Sequence, residues 1–298
     1  VLFAMGALMS LAAAAGDAPS LALTFDDGPD AVTLGAAAVA ESDAILAALA
    51  AAKVKSVLFV AGKRVDSPAG LAAVAAWGRA GHLVANHSYS HRNLSAPATA
   101  VADFEADVAR NEELLRDVPG FARLFRFPYL KEGDTPEKRD AFRTFLRARH
   151  YRSGRATIDA SDWYYDQRFR QWLVAHPGGD PAPFRDAYLA HLWDRAQYYD
   201  ALSRRVVGRS VKHTLLLHVN AVNAAFLPEV IAMFRGRGWK VIDAARAFRD
   251  RVFDADPRVL PAGESLIWSL AKAKGVTGLR YPGEDAVYEK PILDAAGL

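Results

Sequence analysis

The stretch Leu21-Ala22-Leu23-Thr24-Phe25-Asp26-Asp27-Gly28-Pro29 reads as a buried strand that stops on two adjacent carboxylates and a Gly-Pro turn. Like charges side by side repel, and a turn rarely needs both of them. The pair therefore implies a metal ion to be held or a proton to be moved. Outward from this strand, short apolar runs alternate with helical patterns along the chain. Strands are expected over 20–26, 56–61, 82–86, 122–127, 154–159, 213–219 and 239–242. Helices are expected near 31–52, 67–80, 98–117, 136–150, 163–175, 183–207 and 225–236. Such alternation builds a parallel α/β sheet. Chemistry at several strand ends favours closure into a barrel over an open sheet.

The 298 residues are 51% hydrophobic and 24% charged, ample for one large core. A net charge of +3 is too small an excess to indicate a nucleic-acid partner. There is no cysteine, so disulfides and thiolate ligands are excluded, and any metal must be held by histidine and carboxylate. Residues 1–16 are apolar, small and uncharged, and 1–18 is expected to be the tail of a secretory signal peptide, with a short buried or anchoring helix as the alternative. That points to a secreted or periplasmic protein with no stable membrane span in its mature chain. The domain expected over 19–248 contains an overlong connection, 164–212, broken at Pro177-Gly178-Gly179-Asp180-Pro181. This is read as a helical hairpin inserted on the catalytic face. Residues 249–298 are expected to pack on the outside.

Four further segments carry chemistry. In Asn86-His87-Ser88-Tyr89-Ser90-His91 two histidines stand at i and i+4, which one helical turn would bring to one side. With Asp27 they would make a three-ligand site with open positions, suited to zinc, while cobalt, nickel or manganese also fit. Asp26 is then left over as a base. In Arg126-Phe127-Pro128-Tyr129 the arginine can hold a carboxylate ionised and oriented, and the Pro turn can aim the Tyr129 N–H at an oxyanion. Taken alone, a structural arginine before a kinked loop explains the same residues. Asp159-Ala160-Ser161-Asp162-Trp163 offers acids that serve equally as N-caps or as partners of a histidine, and a flat indole wall for a sugar ring. Leu216-Leu217-His218 ends a strand on a candidate general acid, or on a core histidine with a backbone partner. The arginines of 138–155 read mostly as a solvated helix face.

Together these five motifs, over about residues 19–248, resemble the polysaccharide deacetylases of the NodB-homology type, carbohydrate esterase family 4. The resemblance implies a distorted (β/α)7 barrel that removes N-acetyl groups from an amino-sugar polymer, peptidoglycan or chitin-like, with a divalent metal, foremost zinc. It implies Asp26 as general base, Asp27, His87 and His91 as metal ligands, and Arg126 as the residue positioning Asp26. It further implies Tyr129 N–H as oxyanion donor, Asp162 as partner of His218, Trp163 and Leu216 as pocket walls, and His218 as general acid. The chain departs from the pattern at Phe127-Pro128-Tyr129-Leu130, at Val219-Asn220 and in the long 164–212 segment. These changes alter the rim and bear on substrate choice. The rival readings are an acetyl xylan esterase, a small-molecule amide hydrolase on the same fold, and an inactive glycan-binding module.

Overall fold

The computed structural model describes residues 18–280 and 286–298. The signal-peptide expectation falls on 1–18, and residues 1–17 lie outside the described residues. Along the chain run β1 (Ser20–Asp26), α1 (Ala36–Ala52), β2 (Val57–Val60), α2 (Gly62–Val65), α3 (Pro68–Arg79), β3 (Leu83–Asn86), α4 (Val101–Leu115) and β4 (Phe121–Phe125). There follow β5 (Lys131–Gly133), α5 (Pro136–Ala148), β6 (Arg152–Ser153), α6 (Asp162–Ala175), α7 (Ala182–Val207) and β7 (Lys212–His218). The remainder is α8 (Ala221–Gly236), β8 (Lys240–Val241), α9 (Ala244–Ala247), β9 (Ala262–Gly263), α10 (Leu266–Ala273) and α11 (Glu289–Ala295).

Seven strands form one curled parallel sheet in the order β6-β4-β3-β2-β1-β7, with β8 paired to the start of β1. β1 is central and buried along most of its length, which explains its unbroken apolar run. The gap between β4 and β7 is crossed by one segment. Gly154 N–H donates to Phe125 O at 2.8 Å on the β4 side. Ile158 N–H donates to Thr214 O at 3.0 Å, and Leu216 N–H to Ile158 O at 3.0 Å, on the β7 side. The strand expected over 154–159 is therefore not formed: the ladder is the two residues just before it, Arg152 and Ser153, and 154–159 itself makes a single bridge at Ile158, because this stretch leaves one edge to reach the other.

Helix starts follow local chemistry. Ser67 caps α3 by accepting from Gly70 N–H, Thr135 caps α5 through Lys138 N–H, and Asn220 caps α8 through Asn223 N–H. Pro68 and Pro136 occupy first-turn positions where no N–H is needed. The helix expected from residue 31 begins only at Ala36, since Gly35 at φ 58° ends a run of turns. The two halves of 164–212 are α6 and α7. α6 starts at the C-terminal end of the sheet, then packs on α8 and β7, while α7 packs on α8 and α10. Residues of the 249–298 segment, among them Val252, Leu266, Ile267 and Leu293, belong to the main buried cluster.

The arginine-rich stretch is a solvated face only in part: Arg147 and Arg152 are exposed. Arg139, Arg143 and Arg155 are buried. Glu132 takes 2.7 Å bonds from Nη2 of both Arg143 and Arg155, and a 2.5 Å bond from Arg155 Nε. Asp256 closes the group from the other side at 3.0 Å from Arg143 and 3.3 Å from Arg155. Periodicity could not show this, because the acids come from outside the helix, at 132 and 256.

Candidate active site

Register brings the acids and the last histidine together. β1 and β7 run parallel with Asp26 opposite His218, so both side chains reach the C-terminal end of the sheet. Asp26 continues the strand and is buried. Asp27 breaks it at φ 72°, with Gly28 at φ 80°, so consecutive carboxylates take different directions. Asp27, Ser88, His91, Tyr129, Leu130 and Ser161 all have positive φ, and all lie in loops after strands or at the start of α6. Such conformations are costly for residues other than glycine and cluster where side-chain placement matters more than local stability.

The two histidines do not share a helical turn. Residues 87–91 form a bend with Ser88 at φ 62° and His91 at φ 55°. It is pinned by Ser88 N–H donating to Asn86 Oδ1 at 2.9 Å and His91 N–H to Ser88 Oγ at 3.1 Å. The i, i+4 spacing picked out two histidines that do meet, with rings 5.0 Å apart, but a bend rather than a helical turn brings them together. His87 donates Nδ1–H to Arg126 O at 2.8 Å, which fixes its tautomer and leaves Nε2 with a free lone pair. The Nε2 atoms of His91 and His87 stand 3.2 and 3.8 Å from Asp27 Oδ1.

That carboxylate oxygen is buried and has no hydrogen-bond donor among the described residues. A ligand atom from each of Asp27, His87 and His91 lies within 4.8 Å of the other two. An orphaned carboxylate oxygen facing two neutral imidazoles fits a divalent cation with further positions open. Burial pushes both histidines below their ordinary pKa, so neither competes for a proton. Burial alone would raise Asp27, but His91, His218 and Arg64 outweigh it and hold its carboxyl down.

Asp26 is held differently. Arg126, fully buried, donates from Nη1 to Asp26 Oδ1 at 2.6 Å and to Thr24 Oγ1 at 2.9 Å, and from Nε to Gly154 O at 2.7 Å. Its guanidinium lies over the Phe59 ring, 4.2 Å from the centroid. Burial lifts the Asp26 carboxyl to about 6, with Arg126 and His218 pulling the other way. A carboxylate in that range can accept a proton near neutral pH and release it again.

His218 is tied to Asp162, the first residue of α6, and so is half of a pair assembled from 56 residues apart. Asn220 and Asn223 also donate to Asp162 Oδ2, at 3.1 and 2.7 Å. Tyr188 of α7 donates to Asn223 Oδ1 at 2.7 Å. Burial disfavours the His218 cation, yet Asp162, with Asp27 and Asp26 behind it, raises the imidazole to about 10.

All ten residues singled out in the sequence border or support one cleft of about 370 Å³. Asp26, Asp27, His87, His91, Tyr129, Trp163, Leu216 and His218 line it, while Arg126 and Asp162 stand behind Asp26 and His218. Leu216 packs with Leu130 and Ala156 into a small apolar cluster. Trp163 is 39% and Tyr129 52% exposed, and the Tyr129 ring sits 4.5 Å from that of His91. Arg64 was not foreseen. It lines the cleft and lies 3.2 Å from Asp27 Oδ2 and 3.4 Å from Asp30 Oδ2. Its setting, Gly62-Lys63-Arg64-Val65, carries no local sign of that position.

The family model described as polysaccharide deacetylase matches residues 13–142. Over those residues, less than half of its length, the chain is similar to the polysaccharide deacetylase family. A peptidoglycan-N-acetylglucosamine deacetylase of Bacillus cereus is 32% identical over 110 residues. That match spans 37% of this chain and 36% of the length of that relative. Among solved structures, a CE4 family pseudoenzyme from Bacillus anthracis superposes with a TM-score of 0.56 at 16% identity, over 78% of this chain and 66% of that one. A family 4 carbohydrate esterase from Streptomyces lividans, in complex with acetate, gives 0.50 at 22% identity, over 75% and 91%. At these identities the structural likeness speaks for the fold alone, and the presence of a pseudoenzyme shows that the deacetylase fold does not guarantee activity. The decision rests on the groups within the cleft.

Proposed function

We propose that this chain is a metal-dependent hydrolase that removes N-acetyl groups from an amino-sugar polysaccharide, peptidoglycan or chitin-like, releasing acetate. The observation that carries the reading is the convergence on one cleft of the orphaned Asp27 carboxylate with two neutral imidazoles, a buried carboxylate near pKa 6, and a histidine held cationic by Asp162. A divalent cation held by Asp27, His87 and His91, foremost zinc, would supply Lewis acidity toward the amide carbonyl and lower the pKa of a water.

The chain's own residues supply the rest. Asp26, oriented by Arg126, takes the proton of the attacking water. The N–H of Tyr129, turned by its positive φ, stabilises the developing oxyanion. His218 delivers a proton to the amide nitrogen, so that an amine leaves rather than an amide anion. Leu216, Leu130 and Ala156 shelter the acetyl methyl, and Trp163 offers a face to the sugar ring. Among the described residues no helix is long and apolar enough to cross a membrane. With a glycan polymer as substrate, the site of action is proposed to be outside the cytoplasm.

The test is acetate release from chitooligosaccharides, peptidoglycan and acetylated xylan, with chelator and with zinc added back. Chelator-sensitive release from an amino-sugar polymer is expected. Release from xylan alone would make the protein an esterase, and no release from any of the three with metal bound would sink the reading.

A further inference from the structure

The opposite end of the barrel carries a second cavity, of about 550 Å³, bordered by Ser20, Arg204, Arg209, Lys212, Arg249 and Arg251. β1 begins there at Ser20 and ends at Asp26 in the cleft, so the two sites stand about 20 Å apart through the barrel. Among the described residues, the only carboxylate in the wall of this cavity is Asp250. It is already saturated: Oδ2 accepts from Arg209 Nη1 at 2.8 Å and Lys212 N–H at 2.9 Å, and Oδ1 accepts from Arg209 Nη2 at 2.5 Å and Val252 N–H at 2.9 Å. Arg204 is paired with Asp200 at 2.9 Å. The side chains of Lys212, Arg249 and Arg251 have no carboxylate partner among the described residues, and both arginines are exposed.

Three cations without a carboxylate partner among the described residues, around one concavity, are a strong local excess in a chain whose net charge is only +3. A single carboxylate cannot balance them, whereas a phosphate group carries enough charge and enough acceptor oxygens for guanidinium forks and an ammonium together. We propose that this basal cavity binds phosphate-bearing anions. Two sources present that chemistry: the headgroups of an anionic lipid surface and a free phosphate anion. Engagement of a lipid surface by this end would turn the cleft, at the other end of the strands, away from that surface.

The experiment compares the full chain with a K212A/R249A/R251A variant, which leaves the Arg209–Asp250 clamp in place. Binding is measured to phosphatidylglycerol vesicles, to phosphatidylcholine vesicles and to inorganic pyrophosphate, at low and high salt. Both proteins carry the same apolar residues 1–16, so their difference reads the basal face alone. The wild type is expected to bind phosphatidylglycerol or pyrophosphate with steep salt dependence, and the variant on the order of 100-fold more weakly. Acetate release from a soluble chitooligosaccharide is expected to be equal in the two. Binding to phosphatidylglycerol vesicles that pyrophosphate does not displace assigns the lipid source, and binding to pyrophosphate without vesicle binding assigns the free anion. Equal affinity of wild type and variant, or binding of the wild type to neither anion, overturns the proposal. A single R249A variant, expected to show a partial loss, guards against misfolding of the triple one.

Discussion

Asp162 grips His218 twice: its Oδ1 lies 2.6 Å from the imidazole Nδ1, and its Oδ2 accepts the His218 backbone N–H at 2.7 Å. One carboxylate thus sets both the proton affinity and the position of the ring. In Asp162→Asn the charge that lifts His218 to about 10 is gone, and burial then lowers the imidazole. The acid form is lost at a lower pH, so the basic limb of the kcat profile should move toward acid. A pH–rate profile checks this, and an unmoved limb removes His218 from the acid role. His218→Ala should slow amide turnover by about 10²–10⁴-fold and ester turnover much less, because an alkoxide leaves without that proton more readily.

Asp26 is outside the three-ligand group, and Arg126 rather than a ligand holds its Oδ1. Asp26→Asn is therefore expected to abolish nearly all turnover while metal content, read by elemental analysis, stays at the wild-type level. Wild-type rates in that variant would make the base assignment wrong.

A metal bound only by the folded chain stabilises it by mass action, about 2.7 kcal/mol at 100 times the dissociation constant. Chelation should lower Tm and zinc should restore it. His91→Ala, which removes one of the three proposed ligands from the cleft wall, should blunt both responses in a thermal melt.

Gly154 lies in the segment that closes the barrel, and a Cβ there would meet the Phe59 ring at 2.4 Å. Arg126 lies on that same ring and bonds Gly154 O. Gly154→Ala should cost about 1–3 kcal/mol of stability in urea unfolding and reduce kcat by displacing Arg126. Full activity in the variant would show that the ring can yield without disturbing the guanidinium.

Glu132 is the shared partner of two buried arginines. Its removal in Glu132→Ala leaves their charges uncompensated and should cost about 3–5 kcal/mol, with KM of the remaining folded enzyme little changed. Equilibrium denaturation measures the first and initial rates the second.

The order of strands and helices was legible in the sequence because each buried strand needs an apolar run and each amphipathic helix its own period. β1, α3, β7 and α7 lie within two residues of expectation for that reason. The candidate site residues were legible because they stand at strand ends, where the chain passes from apolar to polar. What local pattern missed was burial created by parts of the chain distant in sequence, as at Arg143 and Arg155. The 154–159 stretch looked like a strand because it is buried, but its burial comes from bridging two sheet edges.

From sequence alone came the residue types: paired acids, two histidines, an arginine, an acid beside a tryptophan, and a terminal histidine, each one the product of local pattern. Only the tertiary structure decided how they are used. Packing orphaned one oxygen of Asp27, lifted Asp26 by burial, raised His218 through an acid 56 residues away, and drew Arg64 into the cleft. It also drew Arg143 of a basic helix, with Arg155 beyond its end, into a buried ion network. The reason is physical: residue type is a property of the chain, while desolvation and charge pairing depend on distances in space that no local pattern records.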